Sequence, residues 1–265
     1  MAAKKKVLIT GGAGLIGSIL IDRLGDRYDF SSLDLKASKN ARSVVGNLAE
    51  LDTVVEAFTG QDTVVHLAAD RRADSPWDSN LPNNFIGTYN VFEAARRCGV
   101  KRVIFASSNH ATGGFYLDEP WKHICEGNFA KLQAGKYPLV DESYRIRPDG
   151  YYGVAKAYGE ALGSYYCDYH GVGSIHLRIG WVLSEDNPKF SPFALSLWLS
   201  HRDTAQIVQR CIDAPASLSY GIFYATSDNK WKIFDITRAK NVLGYEPEDA
   251  AGEEFTAGPP PKRDQ

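Results

Sequence analysis

Residues 6–17 read KVLITGGAGLIG. The opening five residues have the length and apolar run of a buried strand. Gly11, Gly14 and Gly17 follow, and the stretch from Leu15 to Leu24 has helical character. Each glycine has its own use: Gly11 permits a tight turn, Gly14 lets backbone approach a pyrophosphate, and Gly17 lets the helix pack closely on the strand. The helix start at Leu15 and Ile16 offers unpaired N–H groups and positive potential to phosphate. A glycine turn without a ligand is the bland alternative, and the spacing alone is weak. What strengthens it is the second strand, FSSLDL, which brings Asp34 to its end. A carboxylate there accepts hydrogen bonds from ribose hydroxyls and repels a 2′-phosphate. NAD is therefore the expected cofactor, with Lys36 the nearby charge able to soften the preference.

Outward from this unit, apolar runs keep alternating with helix-length segments. SVVGN (43–47) reads as a third strand and 49–58 as a helix; DTVVHLAA (62–69) is a fourth strand. Residues 84–98 show helical spacing and stop at Gly99, and KRVIFASS (101–108) is a fifth strand. Pro148 and Asp149 signal a helix from about residue 150 to 169, stopped by Gly171, and SIHLRIG (174–180) is a sixth strand. Such alternation predicts an α/β fold, a doubly wound parallel sheet of Rossmann type, with ligands at the carboxyl ends of the strands. The rhythm breaks at Trp181. We expect an NAD-binding domain over 1–180 carrying the catalytic residues, and a small substrate-side region over 181–265 with a flexible tail, GPPPKRDQ.

Composition narrows the partners. The chain has 265 residues, 44% apolar and 23% charged, enough to bury a core without staples. A formal net charge of −2 with no long basic block disfavours nucleic acid. No stretch approaches a membrane span or a signal-peptide core. The four cysteines lie far apart without a CxxC, so reduced thiols and a cytoplasmic setting are expected.

YYGVAK (151–156) carries the chemistry. Residues four apart on a helix sit about 40° apart, whereas residues five apart diverge by about 140°. Tyr152, and not Tyr151, therefore shares a face with Lys156. A free phenol has a pKa near 10 and needs a drop of about 3 units, or about 4 kcal/mol, to act as a base at neutral pH. A cation about 5 Å away supplies roughly 3 kcal/mol at an effective dielectric near 20. Lys156 and a positive nicotinamide together cover the gap. An isolated Y-x-x-x-K is normally an exposed helical pair; its place after a dinucleotide turn changes that reading. FASSNH closes the fifth strand, and there the hydroxyl of Ser108 can orient a substrate oxygen, with Asn109 and His110 adding donors and acceptors.

Taken in order, TGGAGLIG, Asp34, HLAA, NNFIGTYNVFEAA, FASSNH and YYGVAK make the chain resemble the extended short-chain dehydrogenase/reductases over roughly residues 5–180. The resemblance implies a triad of Ser108, Tyr152 and Lys156, a helix asparagine at Asn84, and cofactor contacts from Leu67, Ala68 and Ala69. Asn47 and Leu48 stand where the family has Asp-Leu near the adenine. FASSNH, RPDGYYGVAKAYGE, LRIG and SLWLSH are most similar to the uronate dehydrogenases. That likeness implies oxidation of a hexuronate at its anomeric carbon to an aldarolactone, with Asn109 and His110 on sugar hydroxyls or the carboxylate.

One departure stands out. The arginine that clamps the carboxylate in that group falls on Phe193 here, and its serine after the Arg-Ile-Gly strand end falls on Trp181. Phenylalanine cannot replace an arginine fork. Either Lys189, Arg71 or Arg72 takes over, or the substrate is a neutral aldose. Arg72 is carried as a candidate substrate contact.

Other residues have plainer readings. His201 caps or packs, His66 packs, and His123, His170 and His176 lack metal spacing, so no metal site is expected. Arg178 can brace the nicotinamide side. Tyr158, Tyr165 and Tyr169 share a helical face that either packs in the core or pairs subunits into a homo-oligomer. Two rivals remain. One is a nucleotide-sugar epimerase or dehydratase, disfavoured by the short C-terminal region. The other is a non-catalytic NAD-binding regulator, which has no need of the tyrosine–lysine pair.

Overall fold

The computed structural model of the chain describes residues 3–258. Seven strands form one parallel sheet: β1 (Lys6–Thr10), β2 (Asp29–Asp34), β3 (Arg42–Val45), β4 (Thr63–His66), β5 (Arg102–Ser108), β6 (Gly173–Ile179) and β7 (Tyr220–Ala225). Their spatial order is β3-β2-β1-β4-β5-β6-β7, so the winding reverses between β1 and β4. That crevice is where such sheets bind nucleotides.

Strand periodicity explains the two layers. Val7 and Ile9 of β1 point into one core, lined by helices α1 (Leu15–Leu24) and α8 (His201–Asp213). Leu8 points the other way, joining Leu33, Val64 and Val103 against α2 (Leu51–Phe58) and α4 (Gly87–Cys98). Residues two apart on a strand share a face, so a run apolar throughout must be covered on both sides. Short α3 (Trp77–Asn80) runs through a π-helical turn at Leu81–Ile86 into α4, which places Asn84 just before α4 rather than within it.

Helix α6 (Tyr151–His170) lies against β5 and β6. A Cβ on Gly159 would stand 2.3 Å from the Phe105 ring, so glycine there sets how close the helix lies. The helix ends where expected, with Gly171 left-handed at φ 67° and its N–H returned to Cys167 and Tyr166. Its start differs in mechanism from the sequence reading. The N-cap is Gly150 with no side-chain cap, because the Asp149 carboxylate is engaged elsewhere.

Between β5 and α6, the chain forms α5 (Trp121–Cys125) and short 3-10 turns, the last of which (Phe129–Lys131) meets the C-terminal segment: the Phe129 ring stacks on Trp231 at 4.7 Å. Beyond Trp181 the βα rhythm resumes. Helix α7 (Pro192–Leu197) is capped by Ser191, whose Oγ accepts from Ala194 N (3.0 Å), and α8 by Ser200, whose Oγ accepts from Asp203 N (3.0 Å). The chain then enters β7, a seventh strand where six were expected. The boundary read at residue 180 falls between β6 and β7, both strands of this one sheet. The expected tail lies, apart from Gly258, outside the described residues.

A buried ion pair ties α6 to β6. Arg178 donates through Nε and Nη2 to the two Glu160 oxygens (2.9 and 2.8 Å), and each side chain is 2% exposed. Removing one partner strands the other charge. We expect Glu160→Ala to lose about 3–5 kcal/mol in urea unfolding. A loss under about 1 kcal/mol would contradict this role for the pair.

Candidate active site

The glycine turn fits a dinucleotide. Gly11 has φ 77°, and a Cβ there would lie 2.8 Å from Ala68 N, so turn and β4 end touch backbone to backbone. Leu67 N and Ala68 N both donate to Thr10 O (3.0 and 3.1 Å), continuing the edge through the half-buried Leu67, Ala68 and Ala69. A Cβ on Gly14 would meet only Gly11 O within 4 Å, at 3.2 Å, which leaves the outer side of the turn open to a phosphate. Leu15 and Ile16 begin α1 there, and Gly17 packs against Gly11 and Gly12. Asp34 ends β2 beside this turn, its Oδ2 accepting from Ala13 N (3.0 Å) and Oδ1 from Leu35 N (2.7 Å). Both oxygens keep lone pairs for ribose hydroxyls. Gly46 N donates to Asp34 O (2.9 Å), which brings Asn47 and Leu48 to the same end. Leu48 is buried, and the Asn47 side chain closes on Ala49 N (2.9 Å). These groups would hold NAD, which when bound supplies the hydride acceptor.

Asn84 works through backbone. Its Oδ1 accepts from Asp70 N (2.7 Å), and its Nδ2 donates to Asp70 O (2.9 Å) and Asn80 Oδ1 (2.6 Å). Both amide protons are spent on protein, so Asn84 fixes the loop after β4. The Asp70 carboxylate then gathers Ser75 Oγ (2.6 Å), Ser79 Oγ (2.5 Å) and both Nε and Nη2 of Arg72 (3.0 and 2.7 Å). Arg72, a candidate for the substrate, is thus bound by its neighbour.

Ser108, Tyr152 and Lys156 come together. β5 delivers Ser108 at its carboxyl end and α6 delivers the other two on one face. The Ser108 hydroxyl lies near enough to Tyr152 to favour its phenolate, while its own bonds run to Asn109 Oδ1 and His110 N (both 3.3 Å). Lys156 Nζ lies over the rings of Phe105 (4.9 Å) and Tyr152 (5.3 Å), with the residue 4% exposed. Tyr151 is excluded as expected: it is 53% exposed and edges against Trp77.

The electrostatics correct the simple arithmetic of a cation beside a phenol. Burial pushes Tyr152 up to about 12 and pulls Lys156 down to about 7. The Coulomb gain omitted that both groups leave water. Besides the Ser108 hydroxyl, what favours the Tyr152 phenolate is the charge of Arg71, while Asp70 and Asp149 oppose it. In the protein alone the proton therefore rests on Tyr152.

His110 flanks the tyrosine, its ring edge-on at 5.5 Å. Its Nδ1 is bound by the Asp149 oxygens at 2.9 and 2.8 Å. Asp149 looked like a helix-start signal, so its part in orienting His110 was not visible in the sequence. Asn109 is 1% exposed, and its amide donates to Tyr116 Oη (2.7 Å). Its side chain is therefore engaged with Tyr116 and almost closed to solvent. Arg178 does not brace the nicotinamide side; it is held by Glu160 and Tyr224 Oη (3.1 Å). His66 packs as read, between Thr10 Oγ1 (2.7 Å) and Thr88 Oγ1 (3.2 Å).

Lys156 yields a pH test. Its folded pKa lies below the ordinary 10.5, at about 7, so the unfolded chain binds the extra proton between those values. Stability from this group is complete above about 10.5 and is lost as pH falls toward 7. Cofactor-free protein should gain on the order of 3 kcal/mol from pH 7 to 9.5 relative to Lys156→Met, by denaturant titration. Parallel pH profiles for the two proteins would refute a buried, easily neutralised lysine.

Residues 7–202 match the NAD dependent epimerase/dehydratase family. The chain is 37% identical over 264 residues to an NAD-dependent glucose-6-phosphate dehydrogenase of Haloferax volcanii, covering 96% of this chain and 97% of that one. It is 33% identical to an L-arabinose 1-dehydrogenase (NAD(P)(+)) of the same organism, covering 92% and 96%. Among solved structures, a mutant uronate dehydrogenase from Agrobacterium tumefaciens complexed with NAD aligns with a TM-score of 0.76 and 31% identity, over 94% of this chain and 86% of that one. With the turn that fits NAD, these matches settle the family: the chain belongs to the NAD dependent epimerase/dehydratase family, the extended short-chain dehydrogenase/reductases, and is an NAD-dependent oxidoreductase.

Proposed function

We propose that the enzyme oxidises a free cyclic aldose at its anomeric carbon to the lactone. The observation that carries this is the buried Lys156, whose Nζ lies 5.3 Å from the Tyr152 ring centre, on one helical face beside the Ser108 end of β5. Ser108 orients the anomeric hydroxyl, and Tyr152 Oη takes its proton while the C1–H electrons leave as hydride and C1–O becomes a carbonyl. The tyrosine starts protonated, so the reaction needs an added positive charge, which the oxidised cofactor brings, and an exit for the phenol proton. Lys156, titrating near neutrality, is suited to hold that proton.

Sequence resemblance favoured a hexuronate. The relatives named for glucose 6-phosphate and arabinose widen the class to aldoses in general. A nucleotide-sugar epimerase is the weaker reading, since the relatives of highest identity reported above are named as dehydrogenases of sugars without a nucleotide.

Tyr152→Phe should lower turnover about a thousandfold or more with NAD affinity nearly intact. The assay is a panel of galacturonate, glucuronate, arabinose, galactose, glucose, glucose 6-phosphate and UDP-glucose with NAD+, read by absorbance of the reduced cofactor. Turnover of free aldoses and none of UDP-glucose is expected. Unchanged turnover in the variant removes Tyr152 from the chemistry.

We also propose a homo-oligomer paired through α4 and α6. Tyr165 and Tyr169 are 49% and 75% exposed, which excludes the core-packing reading for them, and Tyr89 on α4 is 44% exposed. Contiguous exposed aromatic surface of this kind marks an interface. Sedimentation at micromolar concentration should give at least a dimer; a monomer discards the proposal. Four unpaired cysteines suit a reducing compartment, and we place the enzyme in the cytoplasm. Among the described residues, no helix is long and apolar enough to cross a membrane.

A further inference from the structure

The ground beside Ser108 is charged on one side and aromatic on the other. On the first, Tyr152 is surrounded by Arg71, Asp70, Asp149 and His110. On the second, Asn109 hands over to a run of rings. Ser108 Oγ lies 3.3 Å from Asn109 Oδ1, and Asn109 Nδ2 donates to Tyr116 Oη at 2.7 Å. The Tyr116 ring meets Phe193 at 4.9 Å and 78°, and Phe193 meets Trp181 at 5.1 Å and 73°. Trp181 lies just past Ile179, the register partner of Ser108, so its backbone continues the strand ends that bear the reaction. All three rings are half-buried: they rest on the core and keep surface outside it.

We infer that the Tyr116–Phe193–Trp181 wall is the surface on which the sugar ring lies, and that it selects an aldose uncharged at C5 over one bearing a carboxylate or phosphate there. This rests on the aldose reading above. The C–H face of a pyranose packs on aromatic rings as other apolar surface does. An anion pressed on the same wall loses water and meets the negative ring faces, which do not do the work of a cation fork. The charged side of the site then serves C1 and its hydroxyl, and the aromatic side serves the rest of the ring. Trp181 and Phe193 are specificity-determining and take no part in proton transfer.

L-arabinose, D-galactose and D-galacturonate share one ring configuration and differ only at C5, and glucose with glucose 6-phosphate forms a second matched set. The wild-type enzyme should show kcat/KM at least about tenfold higher for the better neutral sugar of each set than for its anionic partner, a difference of about 1.4 kcal/mol. Phe193→Leu should raise KM for the neutral sugar about fivefold or more with kcat held within about twofold, the mark of lost uniform binding. Phe193→Arg should narrow the neutral-to-uronate ratio about tenfold. Wild-type preference for either anionic sugar, or an unchanged KM in Phe193→Leu, overturns the inference. Should the Phe193 variants fail to fold by circular dichroism, Trp181→Leu is read the same way, and the wild-type ratios decide by themselves. Absence of turnover with every free aldose is a different result: it removes the aldose reading, and this inference falls with it.

Discussion

Glu160 and Arg178 meet across α6 and β6 with almost no exposure, and the reactive groups depend on where that contact puts the helix. Tyr152, Lys156 and Glu160 recur at four-residue intervals, one face of α6. Fixing Glu160 against β6 therefore fixes the other two over the carboxyl ends of β5 and β6. The same carboxylate accepts from Ser107 Oγ (2.6 Å), the residue before Ser108, so helix and strand end are held by one group. Arg178 passes the connection to Tyr224 Oη and on to Thr112 Oγ1 (2.9 Å), which lies in the turn carrying Asn109 and His110. A buried pair is a poor source of stability, but it is specific in geometry. Here it orients α6, β6 and the carboxyl end of β5 together.

The chemistry that results is governed by desolvation. A tyrosine and a lysine brought together in water would help each other to ionise in the useful sense. Closed under α6, both are driven toward neutrality, the phenol to about 12 and the amine to about 7. In the proposed reaction such a site awaits the positive charge of the oxidised cofactor, which a low dielectric makes count for more. The nearby Ser108 hydroxyl and the field of Arg71 favour the Tyr152 phenolate and lower the remaining cost.

Much of the architecture was legible in the chain. The glycine turn, the acid at Asp34 and six strands could be read because each is local: a period-two run, a helix stop, a backbone angle only glycine adopts freely. β7 was missed although YGIFYA is a good buried strand, because the proline, serine and tryptophan around it obscured the alternation. Tyr152 was separable from Tyr151 by helical angle alone. The roles of Asn84, Arg72 and Arg178 were harder. Asn84 and Arg178 are ordinary polar residues whose partners, Asp70 and Glu160, come beside them only after folding, and nothing in the sequence shows that Arg72 turns back on Asp70.

The sequence by itself determined the parallel-sheet fold class, the glycine turn and the shared helical face of Tyr152 and Lys156, since these follow from spacing along one strand or one helix. Tertiary structure decided their charge states and surroundings. Burial of Lys156, the binding of Asp149 to His110, and the wall of Tyr116, Phe193 and Trp181 join residues tens of positions apart. Solvation and long-range contact have no period in a sequence, so only the packed chain could set them.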